Sequence, residues 1–121
     1  MATPNLVNVS TVLPFTIAGA VTTSPTDVID VAADKVQKVN TIIISNVDGT
    51  NAADITVEVS VDNGSNYYKV ASTVSVPADA TLVVIDKNSQ IYLDETDLLR
   101  LTASANGDLE YVISGEILDD A

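Results

Sequence analysis

The chain of 121 residues has no cysteine, no histidine and no tryptophan, a single Phe and only five basic residues. Each shortage excludes a class of chemistry. Without cysteine there is no disulfide frame, no thiolate nucleophile and no zinc-thiolate site. Without histidine the commonest general base and the commonest transition-metal ligand are both missing. Five bases against 17 acids give a formal charge of -12. That balance argues against a nucleic-acid partner or an anionic membrane surface, because phosphate binding needs clustered Lys and Arg. No run of about 18 uncharged apolar residues occurs, so no transmembrane helix is expected.

What is present is a β-branched chain. The apolar fraction is 46% and aromatics make up 4%, so Val, Ile and Thr must build most of the core. Their stiff side chains suit a pleated surface better than a helix. The length fits one domain, which can bury about two thirds of its unfolded surface.

The clearest pattern runs from Asp54 to Val61, with Ile55, Val57, Val59 and Val61 on one face and Thr56, Glu58 and Ser60 on the other. Strict alternation is a half-buried strand. Leu109, Tyr111, Ile113 and Ile117 repeat it, although Val112 and Leu118 fall on the polar face, as if that strand were covered on both sides. Val36–Val47, with its run Thr41–Ile44, and Leu82–Ile85 suit central strands. Thr26–Val31, Tyr67–Val76, Gln90–Leu93 and Leu99–Ala105 complete the set. Turn clusters separate them: Asp48-Gly49-Thr50-Asn51, Asp62-Asn63-Gly64-Ser65-Asn66, Pro77-Ala78-Asp79-Ala80 and Asn106-Gly107-Asp108. The last reads as a tight hairpin, since Asn-Gly tolerates positive φ at both central positions. Asp94–Leu98 is the one place for a short helical turn.

Seven to nine strands at this spacing predict an all-β, antiparallel β-sandwich of jelly-roll or immunoglobulin-like type. Residues 22–121 are expected to form that single domain, with residues 1–21 as an N-terminal strand or an arm. Residues 5–21 are uncharged, and Leu6–Val12 could be a further strand. Ala18-Gly19-Ala20 resembles a signal cleavage site, but the first Lys is Lys35 and no basic start is present, so no secretory signal is expected.

The acids offer little chemistry. Asp94, Glu95 and Asp97 cluster, as do Asp119 and Asp120, yet loop positions are expected to leave them ionised in water. The glycine turns at Asp48 and Asp62 supply the hard oxygens that calcium prefers. They lack an EF-hand's ligand spacing and distal Glu, and the same residues make any tight turn. Serine lacks an activating base: Lys35, Lys38, Lys69 and Lys87 have no Ser-x-x-Lys spacing, and no phosphate-binding glycine loop occurs. The chain therefore reads as a non-enzyme, with no catalytic, cofactor-binding or metal-ligating residue assigned. Tyr67 and Tyr68 are adjacent and should face opposite ways in a strand, one into the core and one outward as an anchor or a rim residue.

Val31-Ala32-Ala33-Asp34-Lys35-Val36-Gln37-Lys38-Val39-Asn40-Thr41-Ile42-Ile43-Ile44-Ser45-Asn46-Val47, continuing through Asp48 to Val57, resembles small virion proteins of tailed bacteriophages, especially phages of marine bacteria and cyanobacteria. Leu82–Ile85, Ile91–Asn106 and the opening Met1-Ala2-Thr3-Pro4-Asn5 with Leu6–Val9 extend the similarity over about residues 1–113. These are strand and loop patterns rather than catalytic motifs. The resemblance implies a structural part of the particle, in first place a capsid decoration (cement) protein. It would contact the major capsid protein or other virion proteins and its own copies, often as a trimer, and its location would be the virion. A tail, neck or fibre-associated component is the nearest alternative. A calcium-dependent carbohydrate-binding module and a secreted adhesin domain are alternatives of another class. The -12 charge suits a protein kept soluble and away from packaged DNA.

Overall fold

The computed structural model describes residues 6–120, so the Met1–Asn5 part of the resemblance lies outside them. A 3-10 turn, Leu6–Asn8, leads into β1 (Val9–Val21). Then follow β2 (Thr26–Asp30), β3 (Lys35–Asn46), β4 (Ala53–Ser60), β5 (Tyr68–Val76), β6 (Thr81–Ile85), β7 (Ile91–Leu93), β8 (Leu98–Ala103) and β9 (Leu109–Asp120). All pairings are antiparallel. One sheet runs β1-β9-β3-β6, with β7 also beside β3, and the other runs β2-β8-β4-β5.

This order has a simple origin. A long hairpin that pairs β1 with β9, β2 with β8, β3 with β6 and β4 with β5 is rolled up. Rolling brings β9 against β3 and β8 against β4, and successive strands then alternate between sheets except from β4 to β5 and from β6 to β7. That is a jelly roll, with β7 as an added strand. The immunoglobulin-like alternative is set aside, because its two sheets group strands in a different order.

The core lies between the sheets. Ile42, Ile44, Ile113 and Leu109 point inward from the first sheet and Ile55, Val57, Leu99 and Leu101 from the second, all essentially inaccessible to solvent. Each contributes about 1.5–3 kcal/mol by leaving water. Two glycine positions are set by packing. Gly115 lies opposite Val39, next to a register slip between Val39 and Thr41. A Cβ there would overlap the Lys38 carbonyl. Gly19 leaves room for the Tyr111 ring, whose Cε1 sits 3.2 Å from where its Cβ would be. Asn46 clasps the two sheets. Its amide donates to the carbonyls of Asn51 and Val76 at 2.9 Å each, and its side-chain oxygen accepts from the Asp48 amide at 2.8 Å.

Several expectations need correction. Leu82–Ile85 belongs to β6, an outer strand rather than a central one. An apolar run reports burial on its own account and says nothing of pairing on both edges. Asn106-Gly107 does turn the chain, with Gly107 at φ 84°. It joins β8 to β9 in different sheets, however, so no hairpin forms. Val61 lies just beyond β4 and is exposed, whereas Ser60 is buried, because its hydroxyl accepts from the Gly64 amide and donates to Asp62. Asp94–Asp97 is a non-helical turn.

Candidate functional site

The acids of the 94–97 turn are not bathed in water. Glu95 and Asp97 are each 8% exposed. Glu95 Oε2 accepts from the Asp34 amide at 2.9 Å, and Asp97 Oδ2 accepts from the Asp94 amide at 2.9 Å. Backbone bonds from Thr96 to Val31 and from Val31 to Asp97 tie the same turn to the β2–β3 loop. Burial pushes the Asp97 carboxyl up, with the nearby Asp94 charge acting the same way. The Glu95 carboxylate thus ties two loops together, and the Asp97 carboxylate closes its own turn.

The candidate calcium turns spend their oxygens internally. Asp48 Oδ1 accepts from the amides of Thr50 and Asn51, and Oδ2 from the Asn51 side chain. Those bonds hold its carboxyl below the usual range. Asp62 accepts from the Asn66 side chain and amide and from the Ser60 hydroxyl, with the same consequence. Among the described residues no group of three or more His, Cys, Asp or Glu is placed to hold a metal ion. Also among them, no helix is long and apolar enough to cross a membrane.

The two outer faces of the sandwich differ in kind. The β2-β8-β4-β5 sheet carries a charge ladder, because its register aligns Asp27 with Arg100, Arg100 with Glu58 and Glu58 with Lys69. Arg100 Nε pairs with Asp27 Oδ1 at 3.3 Å, and Lys69 Nζ with Glu58 Oε2 at 2.6 Å. Tyr67 covers the ladder, its ring centroid 3.5 Å from the Arg100 guanidinium carbon and its hydroxyl donating to Asp27 Oδ1 at 3.0 Å. Desolvation, then the Asp27 carboxylate, pushes the Tyr67 phenol up. Tyr67 is therefore not core, and neither is Tyr68, which is 62% exposed on β5.

The opposite face, on the β1-β9-β3-β6 sheet, carries an aliphatic row. Inward Ile42, Ile44 and Ile113 force Ile43 and Val112 outward by the strand's two-residue period. Register aligns Ala18 with Val112, Val112 with Ile43 and Ile43 with Val83. Val83 is 52% exposed and Val112 41%. Hydroxyl pairs flank the row, Thr16 with Ser114 at 3.2 Å and Ser45 with Thr81 at 3.4 Å. Glu110 stands in register with Ser45 on one side, and beyond Ser114 on the other Lys38 lies near Glu116 at 4.0 Å and over the Tyr92 ring at 5.6 Å. The small side chains of Ala18, Gly19 and Ala20 leave a shallow recess of about 350 Å³ beside Ser45, Glu110 and Val112. The face thus has an apolar centre with a hydroxyl and charged rim.

Sequence reading missed this row. Its signal is Val112, which with Leu118 interrupts the polar face of the last strand. The rest of the row needed the cross-strand register.

No protein-family model matches the chain, and no curated protein sequence matches it. Two solved structures are among those similar to this chain. Each is described as a pentameric capsid protein isolated from metagenomic phage sequences, at 16% identity over 86% of this chain, with TM-scores of 0.40 and 0.38. The chain spans 60% and 64% of their respective lengths.

Proposed function

We propose that the chain is a non-enzymatic structural protein of a phage virion, and specifically a capsid decoration (cement) protein that stabilises the shell through contacts with the major capsid protein and with its own copies. The observation that carries this reading is the contrast between the two outer faces. One is finished with paired charges and a stacked tyrosine, as a solvent face would be. The other presents Ala18, Val112, Ile43 and Val83 in a row across four strands, with a polar rim. Water gives no return for such a row, whereas a shell protein that covers it removes apolar surface at about 25 cal/mol per Å². The jelly-roll strand order supports the reading, since viral capsid proteins use that fold, as do lectins. So does the resemblance of Val31–Val57 to small phage virion proteins. The Asp48 and Asp62 oxygens accept hydrogen bonds within their own turns, which accounts for both turns without calcium.

The test is rebinding. Capsids assembled without the protein should take it up from solution and gain thermal stability. Shells that neither bind it nor change their melting behaviour would remove the decoration reading. Uptake by tails or necks instead of heads would transfer it to the tail, neck or fibre class.

A further inference from the structure

Natural sheets protect their outer strands with charge, bulges or shortness, because an open row of N–H and C=O groups is a template for another chain. Three of the four edges here are protected in those ways. On β2 stand Asp27 and Asp30 within five residues. β5 carries Lys69, slips register twice against β4 and places Thr73 at φ 47°. The edge beside β3 is split between β6, which slips between Ile42 and Ile43, and the three-residue β7. β1 is guarded only near its start, by the slip between Val9 and Thr11 and by Pro14, and has no such device from Phe15 to Val21. It is 13 residues long, carries no charge and keeps unbroken register with β9 from Thr11 to Val21. Among the described residues no strand pairs with its other side.

We propose that the free edge of β1 pairs antiparallel with β1 of a second copy, about a two-fold axis near Ala18, joining two five-stranded sheets into one. Electrostatics selects this edge for self-association. The two chains, each of formal charge -12, repel wherever acids meet, but β1 brings none to the contact. A two-fold at Ala18 sets Ala20 opposite Thr16 and so puts Glu110 in line with the partner's Ser114. The nearest acids on the outer face, such as Glu110 on β9, would therefore be separated from their copies by at least three strand spacings. That is about 14 Å, beyond the screening length of about 8 Å at physiological salt. The register follows from Pro14, which lacks a donor and is best left outside the ladder. The remaining span, Phe15–Val21, is centred on Ala18, where Ala18, Gly19 and Ala20 let the two backbones meet without crowding. The same register makes the row Val83–Ile43–Val112–Ala18 continuous with its copy, doubling the apolar stripe.

This inference specifies the self-contact within the virion reading. It is tested on purified protein alone, so its failure is separate from a failure to bind shells. The chain has no native cysteine, so in Ala18→Cys any disulfide joins two chains. Antiparallel neighbours at the axis have Cα atoms about 4.5–5.5 Å apart, within disulfide reach. Sedimentation of the wild-type chain should show a concentration-dependent dimer. Ala18→Cys should cross-link nearly completely under mild oxidation, and Ser72→Cys on β5 should stay uncross-linked. Thr16→Asp, which puts a charge on the edge of both copies, should weaken the dimer roughly tenfold. Ser72→Asp should leave it unchanged. A wild-type monomer at every concentration, equal cross-linking at both cysteines, or an oligomer in which Ala18→Cys stays reduced would overturn the pairing. If Thr16→Asp does not fold, the cysteine pair still decides.

Discussion

The Arg100 guanidinium lies 3.5 Å from the ring centroid of Tyr67, while the Tyr67 hydroxyl and Arg100 Nε both engage Asp27 Oδ1. Residues 73 positions apart in sequence thus close one face of the molecule. The stacked pair is worth about 0.5–1 kcal/mol at such a partly exposed site. A double-mutant cycle with Arg100→Ala and Tyr67→Ala, read by urea unfolding, should return a coupling of that size. Zero coupling would show that the stacking contributes nothing in solution.

The Tyr67 phenol is raised above its ordinary value of 10.0. Its contribution to stability is therefore complete below pH 10 and is lost as pH climbs through the raised folded value. The stability gap between wild type and Tyr67→Phe should be constant to about pH 10 and should shrink above it. A gap that widens with alkali would contradict the assignment.

Asp62 and Asp97 should show opposite pH slopes. Turn hydrogen bonds lower the Asp62 carboxyl, so its stabilisation is present above the unfolded value of 3.8 and is lost as pH falls through the lower folded value. Asp62→Asn should be less stable than wild type at pH 7, with the gap closing on acidification below 3.8. Burial raises Asp97, so its ionisation disfavours the folded state as pH rises through the raised value. Asp97→Asn keeps an acceptor for the Asp94 amide and should gain on wild type as pH rises. Denaturant midpoints across pH 2.5–7, in steps of about half a unit, check both signs.

Gly115→Ala should be the costliest small substitution in the sheet. The new Cβ would collide with the Lys38 carbonyl and come within 3.0 Å of the Phe15 ring. Backbone on a central strand cannot yield as a side-chain tip can, so a loss of about 1–3 kcal/mol or more is expected. Gly107→Ala meets nothing within 4 Å and strains only its positive φ, so it should cost less. The order of the two thermal midpoints is the readout.

Much of the scaffold was legible because strand alternation is local. Ile55 and Val57 announced their inward face with no knowledge of the fold. What the sequence could not supply was pairing between distant strands. Leu82–Ile85 carries the same apolar run in an outer strand as in a central one. Asn106-Gly107 marks a reversal without saying whether the chain stays in its sheet. The burial of Glu95 and Asp97 was hidden for a related reason: the amides they satisfy include one from Asp34, 61 residues away. The aliphatic row was half legible. Val112 broke the polar face of β9, but only the registers of β1, β3 and β6 place Ala18, Ile43 and Val83 beside it.

The most direct test of the virion reading compares the two faces on capsids assembled without the protein. Wild type, Val112→Asp and Arg100→Ala are each first shown to be folded by circular dichroism, then mixed with such shells, which are sedimented and melted. The expected result is that wild type and Arg100→Ala bind and raise the shell's melting temperature, while Val112→Asp stays in the supernatant and leaves the shell unprotected. Equal binding by all three, or loss of binding with Arg100→Ala alone, would contradict the assignment of the aliphatic row as the surface that meets the shell.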